Sequence, residues 1–270
     1  MTAFTNHFLF EFKTGLRNSN QLLMHYLFPL GFYAMMGLVM VKINPGFGDV
    51  LIPAMVIFTA MSSALLGFPG TLVEAREAGI FRSFKINGVP ALSILSIPVL
   101  TTIFHTLIAS AIIAFTATPL FGGLSPVDWG SFTLITLITI FTFGGIGALI
   151  GVISKDSRSM VLFSQLIFLP SMLIGGLMVP LDFLPPSVRA FSGLFPSTYA
   201  MQAYVGFAYK RATLLDPAIS LLLLLASGLL AFALAIFLFR WDSQNSARSG
   251  HPLLALLAFV PYVLGVILMG

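Results

Sequence analysis

Apolar residues run through this chain in blocks too long for a soluble core, and the charges stand between the blocks. Six uncharged runs, at 22–41, 50–72, 91–118, 131–153, 159–179 and 217–239, each approach or exceed the roughly 20 residues a helix needs to cross a hydrocarbon layer about 30 Å thick. Strands of a membrane barrel would be about half that length and would alternate in polarity, so the runs predict helices. A seventh run, 252–269, carries Pro261 near its middle. Crossing, re-entry and packing along the bundle are all open to it, with crossing favoured.

Between the fifth and sixth runs the pattern changes. Pro180, Pro185, Pro186 and Pro196 forbid one long helix there, yet Phe183, Leu184, Phe191, Leu194 and Phe195 are too apolar for a loop in water. The segment is therefore expected to dip back into the bilayer. Near the start, Phe4, Phe8, Phe12 and Leu16 recur every four residues, with Asn6, Lys13, Arg17 and Asn20 on the other side. This spacing predicts an amphipathic helix lying flat at the membrane surface or against the end of the bundle.

Composition agrees with the pattern. The 270 residues are 58% hydrophobic and 8% charged, against roughly a quarter charged in an average soluble domain. With the amino terminus in the cytoplasm, nine lysines and arginines fall inside (Lys13, Arg17, Arg76, Arg82, Lys85, Lys155, Arg158, Arg240, Arg248) and four outside (Lys42, Arg189, Lys210, Arg211). The bias of basic residues toward cytoplasmic loops selects this orientation in a cell membrane. The net charge of +4 fits anionic lipid on the inner leaflet, and no basic patch interleaved with aromatics suggests nucleic acid. The opening residues lack the apolar core of a cleavable signal, so the amino terminus is expected to be retained.

Several chemistries are excluded. Cysteine is absent, and with it disulfides and thiolate metal sites. No Asp, Glu, Lys or Arg lies inside a run, so the carboxylate that ion-coupled carriers keep near the midplane is missing. His105, in the middle of the third run, and His25, nearer an end, are read as buried neutral histidines bonded to a threonine or a carbonyl, with a relay role as the alternative. No Gly-Lys-Ser or Gly-Lys-Thr, no metalloprotease histidine pair and no Gly-x-Ser-x-Gly elbow occurs, so catalysis in this polypeptide is not expected. In the fourth run Gly144 with Ala148, and Gly147 with Gly151, form small-residue pairs at spacing four that let a neighbouring helix approach closely. Pro29, Pro98 and Pro170 should kink their spans.

The densest cluster of charge is Glu74-Ala-Arg-Glu-Ala-Gly79, followed by Arg82, Lys85 and Pro90. The stretch from Leu72 to Pro90 resembles the cytoplasmic segment of type-2 ABC transporter permeases, with its Glu, basic, Glu, Gly pattern. Gly175-Gly-Leu-Met-Val-Pro-Leu-Asp-Phe-Leu-Pro-Pro186 and Leu194-Phe-Pro-Ser-Thr-Tyr199 are similar to that family's second signature. The resemblance covers residues 1 to 245, taken as the permease domain, with 246–270 as a hydrophobic extension. It implies an all-α membrane protein: a six-helix bundle of the ABC-2 type with an N-terminal interfacial helix and re-entrant helices after the fifth span.

The resemblance also implies a function. It points to the permease subunit of an exporter for an amphipathic or lipidic compound, with a second permease copy or a related chain completing the dimer. ATP and Mg would be bound by a separate ABC ATPase subunit, seated against the loop 73–90. Carried onto this chain, Glu74, Arg76, Glu77 and Arg82 are the ATPase contacts. Phe58, Met61, Leu65, Phe168 and Met172 line the substrate path, and Met178, Val179 and Leu181 form an outer gate. The alternative is a passive channel or an assembly scaffold without a motor. Relatives generally stop after the sixth span, so the run at 252–269 departs from the pattern.

Overall fold

Helices account for every long element of the structure, a computed structural model that describes residues 9, 12, 13, 15, 17–88, 90–241 and 250–269. Six of them are long and apolar enough to span a membrane: α1 (Ser19–Ile43), α2 (Leu51–Glu77), α4 (Ala91–Phe121), α5 (Trp129–Ile153), α6 (Ser157–Ile174) and α9 (Pro217–Phe237). A short helix α3 (Ile80–Ile86) joins α2 to α4. Two more, α7 (Pro186–Ser192) and α8 (Pro196–Ala203), lie between α6 and α9. Residues Pro252–Phe259 form a 3₁₀ helix that leads into α10 (Val260–Met269). The end of the bundle carrying α3 and the α5–α6 turn is the basal face. The opposite end, with residues 44–50, 122–128 and 209–216, is the distal face.

Two expected boundaries move. The second span continues past residue 72 to Glu77 because Glu, Ala, Arg and Glu are good helix formers, and it stops at Gly79, whose φ of 72° suits a residue without a Cβ. The fifth span ends at Ile174, five residues early, where Gly175 and Gly176 (φ 86°) turn the chain. Beyond that turn the expected re-entrant region is built from a 3₁₀ turn (Leu181–Phe183), α7 and α8. Of the interfacial pattern at the start, Phe4, Asn6, Phe8 and Leu16 lie outside the described residues.

The core is α2 and α5. Most of α2 is enclosed, as is most of α5, whereas α1 and α6 leave the larger part of their surface uncovered. A helix this apolar all round has no polar face to orient it, so its packing is set by shape and by backbone hydrogen bonding.

Proline creates that shape. At the basal end of α1 the Phe28 amide bonds back to the Leu23 carbonyl, a π-turn. In that register the Met24 carbonyl points at the nitrogen of Pro29, which has no hydrogen to give. The Ser62 hydroxyl of α2 lies 3.1 Å from it and supplies the missing donor. The same event recurs in α2, where Phe68 bonds back to Ser63 and the Ala64 carbonyl meets Pro69. Here Gly147 of α5 lies against the freed oxygen so closely that a Cβ at that position would sit 2.0 Å from it. Gly151 packs the same way on Leu72 and the Pro69 carbonyl. The small pair Gly147 and Gly151 thus serves the α2 contact, while Gly144 faces Val99 of α4. On its other side α5 meets α9 through Gly145 and Gly228, fastened by the Thr142 hydroxyl donating to the Leu224 carbonyl at 2.9 Å.

His105 and His25 are both buried. Their rings stack 5.3 Å apart, Phe12 stacks on the other side of His105 at 4.4 Å, and His105 Nδ1 lies 2.8 Å from the Tyr26 hydroxyl. His105 is thus bonded by a tyrosine of α1, a partner the sequence did not suggest, as well as by the Phe12 backbone. The cluster ties α1, α4 and the segment preceding α1 together.

The close approach at Gly147 yields a prediction. Gly147→Ala should destabilise the purified protein by about 1–3 kcal/mol, the usual range for an overpacked methyl. Gly31→Ala, where a Cβ meets nothing within 4 Å, should be neutral or slightly stabilising. Thermal unfolding of both variants in one detergent makes the comparison.

Candidate functional site

The basal end of α2 brings together the charged cluster. Pro69, Leu72, Val73 and Arg76 fall on one helical face and are buried, while Glu74 and Glu77 point outward and are exposed. Arg76 is only 5% exposed. Its guanidinium donates to the carbonyls of Gly151 at 3.2 Å and Val152 at 3.1 Å, and to that of Ser154. These carbonyls belong to the last turn of α5, where no further amide is available. The cation also lies at the negative end of the α5 dipole. Arg76 is thus a strut that locks the second span to the fourth, which differs from the surface contact expected from the sequence. Its phase with Leu72 and Val73, at spacings of four and three, is the signal that marks it as inward-facing.

Past Gly79 the chain folds back as α3. Phe81 is its anchor: it is buried and packs 5.4 Å from Phe239, which in turn meets Trp241 edge-on at 5.2 Å. Phe84 is half-buried on the same side, and Ile80, Arg82, Ser83, Lys85 and Ile86 are exposed. Ile86 is 80% exposed, though it stands at the end of the chain's most polar stretch. The next turn is equally well fixed. Asp156 and Ser159 form a capping box at the start of α6, and the Ser159 backbone and hydroxyl bonds hold the Asp156 carboxyl below its ordinary range. The basal face is therefore a rigid platform carrying Glu74, Glu77, Arg82 and two uncovered isoleucines.

The expected path residues lie elsewhere. Phe58, Met61 and Leu65 are fully enclosed and Phe168 nearly so. Phe58 stacks on Phe32 at 4.2 Å and packs near Phe28 and Phe168, at 5.4 and 5.7 Å. Four of the five named side chains thus form an aromatic and aliphatic seam between α1, α2 and α6, and only Met172 is half-exposed. In this conformation the seam presents no surface to a passing molecule. The uncovered apolar surface lies beside it, on Leu162, Leu166 and Leu173 of α6 and Leu27 and Leu38 of α1.

The expected gate residues lie toward the distal side. Met178 is half-buried, Val179 is exposed and Leu181 is buried. Arg189 fixes this segment, its guanidinium lying 3.1–3.3 Å from the carbonyls of Leu181, Asp182 and Leu184. Leu181, Met201 and Gln202 line a distal cavity of about 340 Å³, at whose rim Arg211 pairs with Asp49 at 3.1 Å. A second distal pair, Lys210 with Asp128 at 3.5 Å, sits where the Ser131 backbone and hydroxyl, aided by Lys210, hold the Asp128 carboxyl low.

The strut is testable. Arg76→Ala leaves three carbonyls without a donor and should cost about 2–3 kcal/mol of stability, the range for hydrogen bonds to a charged group. Arg76→Lys should recover part of this, because an ammonium does not offer the guanidinium's planar fork. Glu74→Gln should stay within about 0.5 kcal/mol of the parent, as exposed substitutions do. Thermal melts of the three variants decide.

The family model of the ABC-2 type transporter matches residues 4–209. No curated protein and no solved structure matches this chain.

Proposed function

The chain belongs to the ABC-2 type transporter family, and from that premise we propose that this multi-pass membrane permease is half of an ATP-driven exporter whose motor is a separate polypeptide. The observation that carries the reading is the basal platform. Glu74 and Glu77 at the end of α2 stand beside the exposed Ile80, Arg82 and Ile86 of α3. Isoleucines uncovered among charges in a segment this well anchored suit a protein partner better than bulk water. The ABC ATPase binds there, holding ATP and Mg, with the amino terminus and the platform in the cytoplasm.

The mechanism follows from how the platform is attached. A shift of the ATPase moves α3 through Phe81 and its aromatic socket, and moves the end of α2 through Glu74 and Glu77. Arg76 passes the displacement to α5, so the two core helices move as one body. The parts able to slide are those least enclosed, α1 and α6. Their uncovered leucines face lipid or a second permease copy, related by two-fold symmetry or supplied by a related chain. Cargo leaves along that less constrained side, outward past Met178 and Val179. The buried seam at Phe58, Met61, Leu65 and Phe168 is then a hinge region that opens only if α1 and α6 part from α2.

The cargo class follows from the lining available. The spans carry no Asp, Glu, Lys or Arg away from their ends, so a small hydrophilic ion would lose its hydration without compensation. A drug, an antibiotic, a lipid or a lipid-linked glycan keeps its apolar part against leucine, phenylalanine and methionine.

Copurification provides the test. A soluble ATPase should accompany the tagged permease, and the double reversal Glu74→Arg with Glu77→Arg should release it while the permease keeps its melting temperature. Retention of the ATPase by the reversed variant would refute the docking assignment.

A further inference from the structure

The segment after residue 250 lies beyond the family match and takes an unusual form. Its first eight residues, Pro252–Phe259, are a 3₁₀ helix, and the next ten, Val260–Met269, an α-helix. Runs of 3₁₀ rarely exceed four residues, because the hydrogen bonds are poorer. Length explains what the stretch gains. As a plain α-helix, eighteen residues rise about 27 Å, short of the hydrocarbon core of about 30 Å. With a 3₁₀ rise of about 2 Å per residue, the first part covers about 16 Å and the second about 15 Å. Pro261 stands in the first turn of α10, where a missing amide is tolerated, and so marks the change of helix type.

Contacts along the segment give its course. Gly250 packs on Phe237 and Leu238, at the basal end of α9. Halfway along, the Ser227 hydroxyl of α9 donates to the Ala258 carbonyl at 2.8 Å. Further on, Tyr262 stacks 5.1 Å from Tyr199 of α8, with the planes 18° apart, and both rings are fully buried. The Tyr199 hydroxyl lies 2.6 Å from the Gly193 carbonyl and 3.1 Å from that of Tyr262. Gly265 completes the fit: a Cβ there would sit 2.1 Å from the Tyr199 oxygen. The segment therefore runs antiparallel to α9 from the basal side to the re-entrant helices.

We infer that residues 252–269 form a seventh membrane crossing whose Tyr262 and Gly265 anchor the re-entrant helix α8 through Tyr199. Helix α8 carries Met201 and Gln202, which line the distal cavity together with Leu181. The crossing gives the α8 part of that lining a fixed backing, so that the turn at 175–184 moves against a stationary surface. The inference goes beyond the docking of the ATPase and does not depend on what is carried.

The absence of cysteine makes single-cysteine labelling with a membrane-impermeant maleimide a clean test on the full chain in native membranes. A cysteine placed in a short tail after Gly270 should label from the membrane face opposite to that of Ile86→Cys. Labelling of both from one face overturns the crossing. For the anchor, the buried Leu181→Cys is combined with Tyr262→Ala and, separately, with Tyr199→Phe. Its labelling should quicken about three- to tenfold in each, the effect on a local opening equilibrium of losing the ring stack in the first and the hydroxyl's hydrogen bonds in the second. Ser63→Cys, buried in α2, monitors general unfolding. An unchanged Leu181→Cys rate in both backgrounds overturns the anchor, as does a parallel rise at Ser63→Cys.

Discussion

Three carbonyls at the basal end of α5 have no amide to accept, and the guanidinium of Arg76 satisfies all of them from α2. The rest of the basal architecture depends on this contact. In lipid an unpartnered carbonyl near a helix end is expensive, so the pairing fixes the height of α2 relative to α5 as well as their closeness. Because α2 continues without a break to Glu77, the same contact fixes where Glu74, Glu77 and the following helix stand. An interaction that is structural in kind thus sets the position of Glu74 and Glu77, the acidic residues assigned to partner binding.

The distal side solves an equivalent problem with the same side chain. Arg189 serves three carbonyls of the turn at 181–184, where prolines prevent a helix from doing so. Between these two arginines, neutral groups satisfy the freed backbone. Ser62 serves the carbonyl that Pro29 strands, and Gly147 lets α5 close over the one that Pro69 strands, where a Cα–H contact stands in for a stronger donor. Proline and glycine in these spans are therefore paired features, one creating a local irregularity and the other filling it.

Much of the fold was legible in the sequence, since charge-free runs of about 20 residues suit the interior of a bilayer and little else. The family was legible in the charged motif at 74–79 and in the proline-rich stretch after the fifth span. What escaped has identifiable causes. Hydropathy ends a span at its first charge, so it missed that Glu74, Arg76 and Glu77 continue a helix that only Gly79 stops. The inward turn of Arg76 was visible in its phase with Leu72 and Val73, but an arginine in a charged cluster reads as solvated. The enclosure of Phe58, Met61 and Leu65 had no signal, because a helix apolar on every side carries no periodicity to say which face is covered. Gly145 and Gly228 were overlooked because their contact joins spans far apart in sequence.

In this account α2 and α5 are one rigid body joined at Arg76, and force from the ATPase moves them together. Spin labels at Ala78→Cys and Lys155→Cys, both exposed basal positions, report the distance between those helix ends in the reconstituted complex with its ATPase. The account predicts the same distance distribution with and without bound nucleotide. A nucleotide-dependent shift approaching one helical turn, about 5 Å, would contradict it.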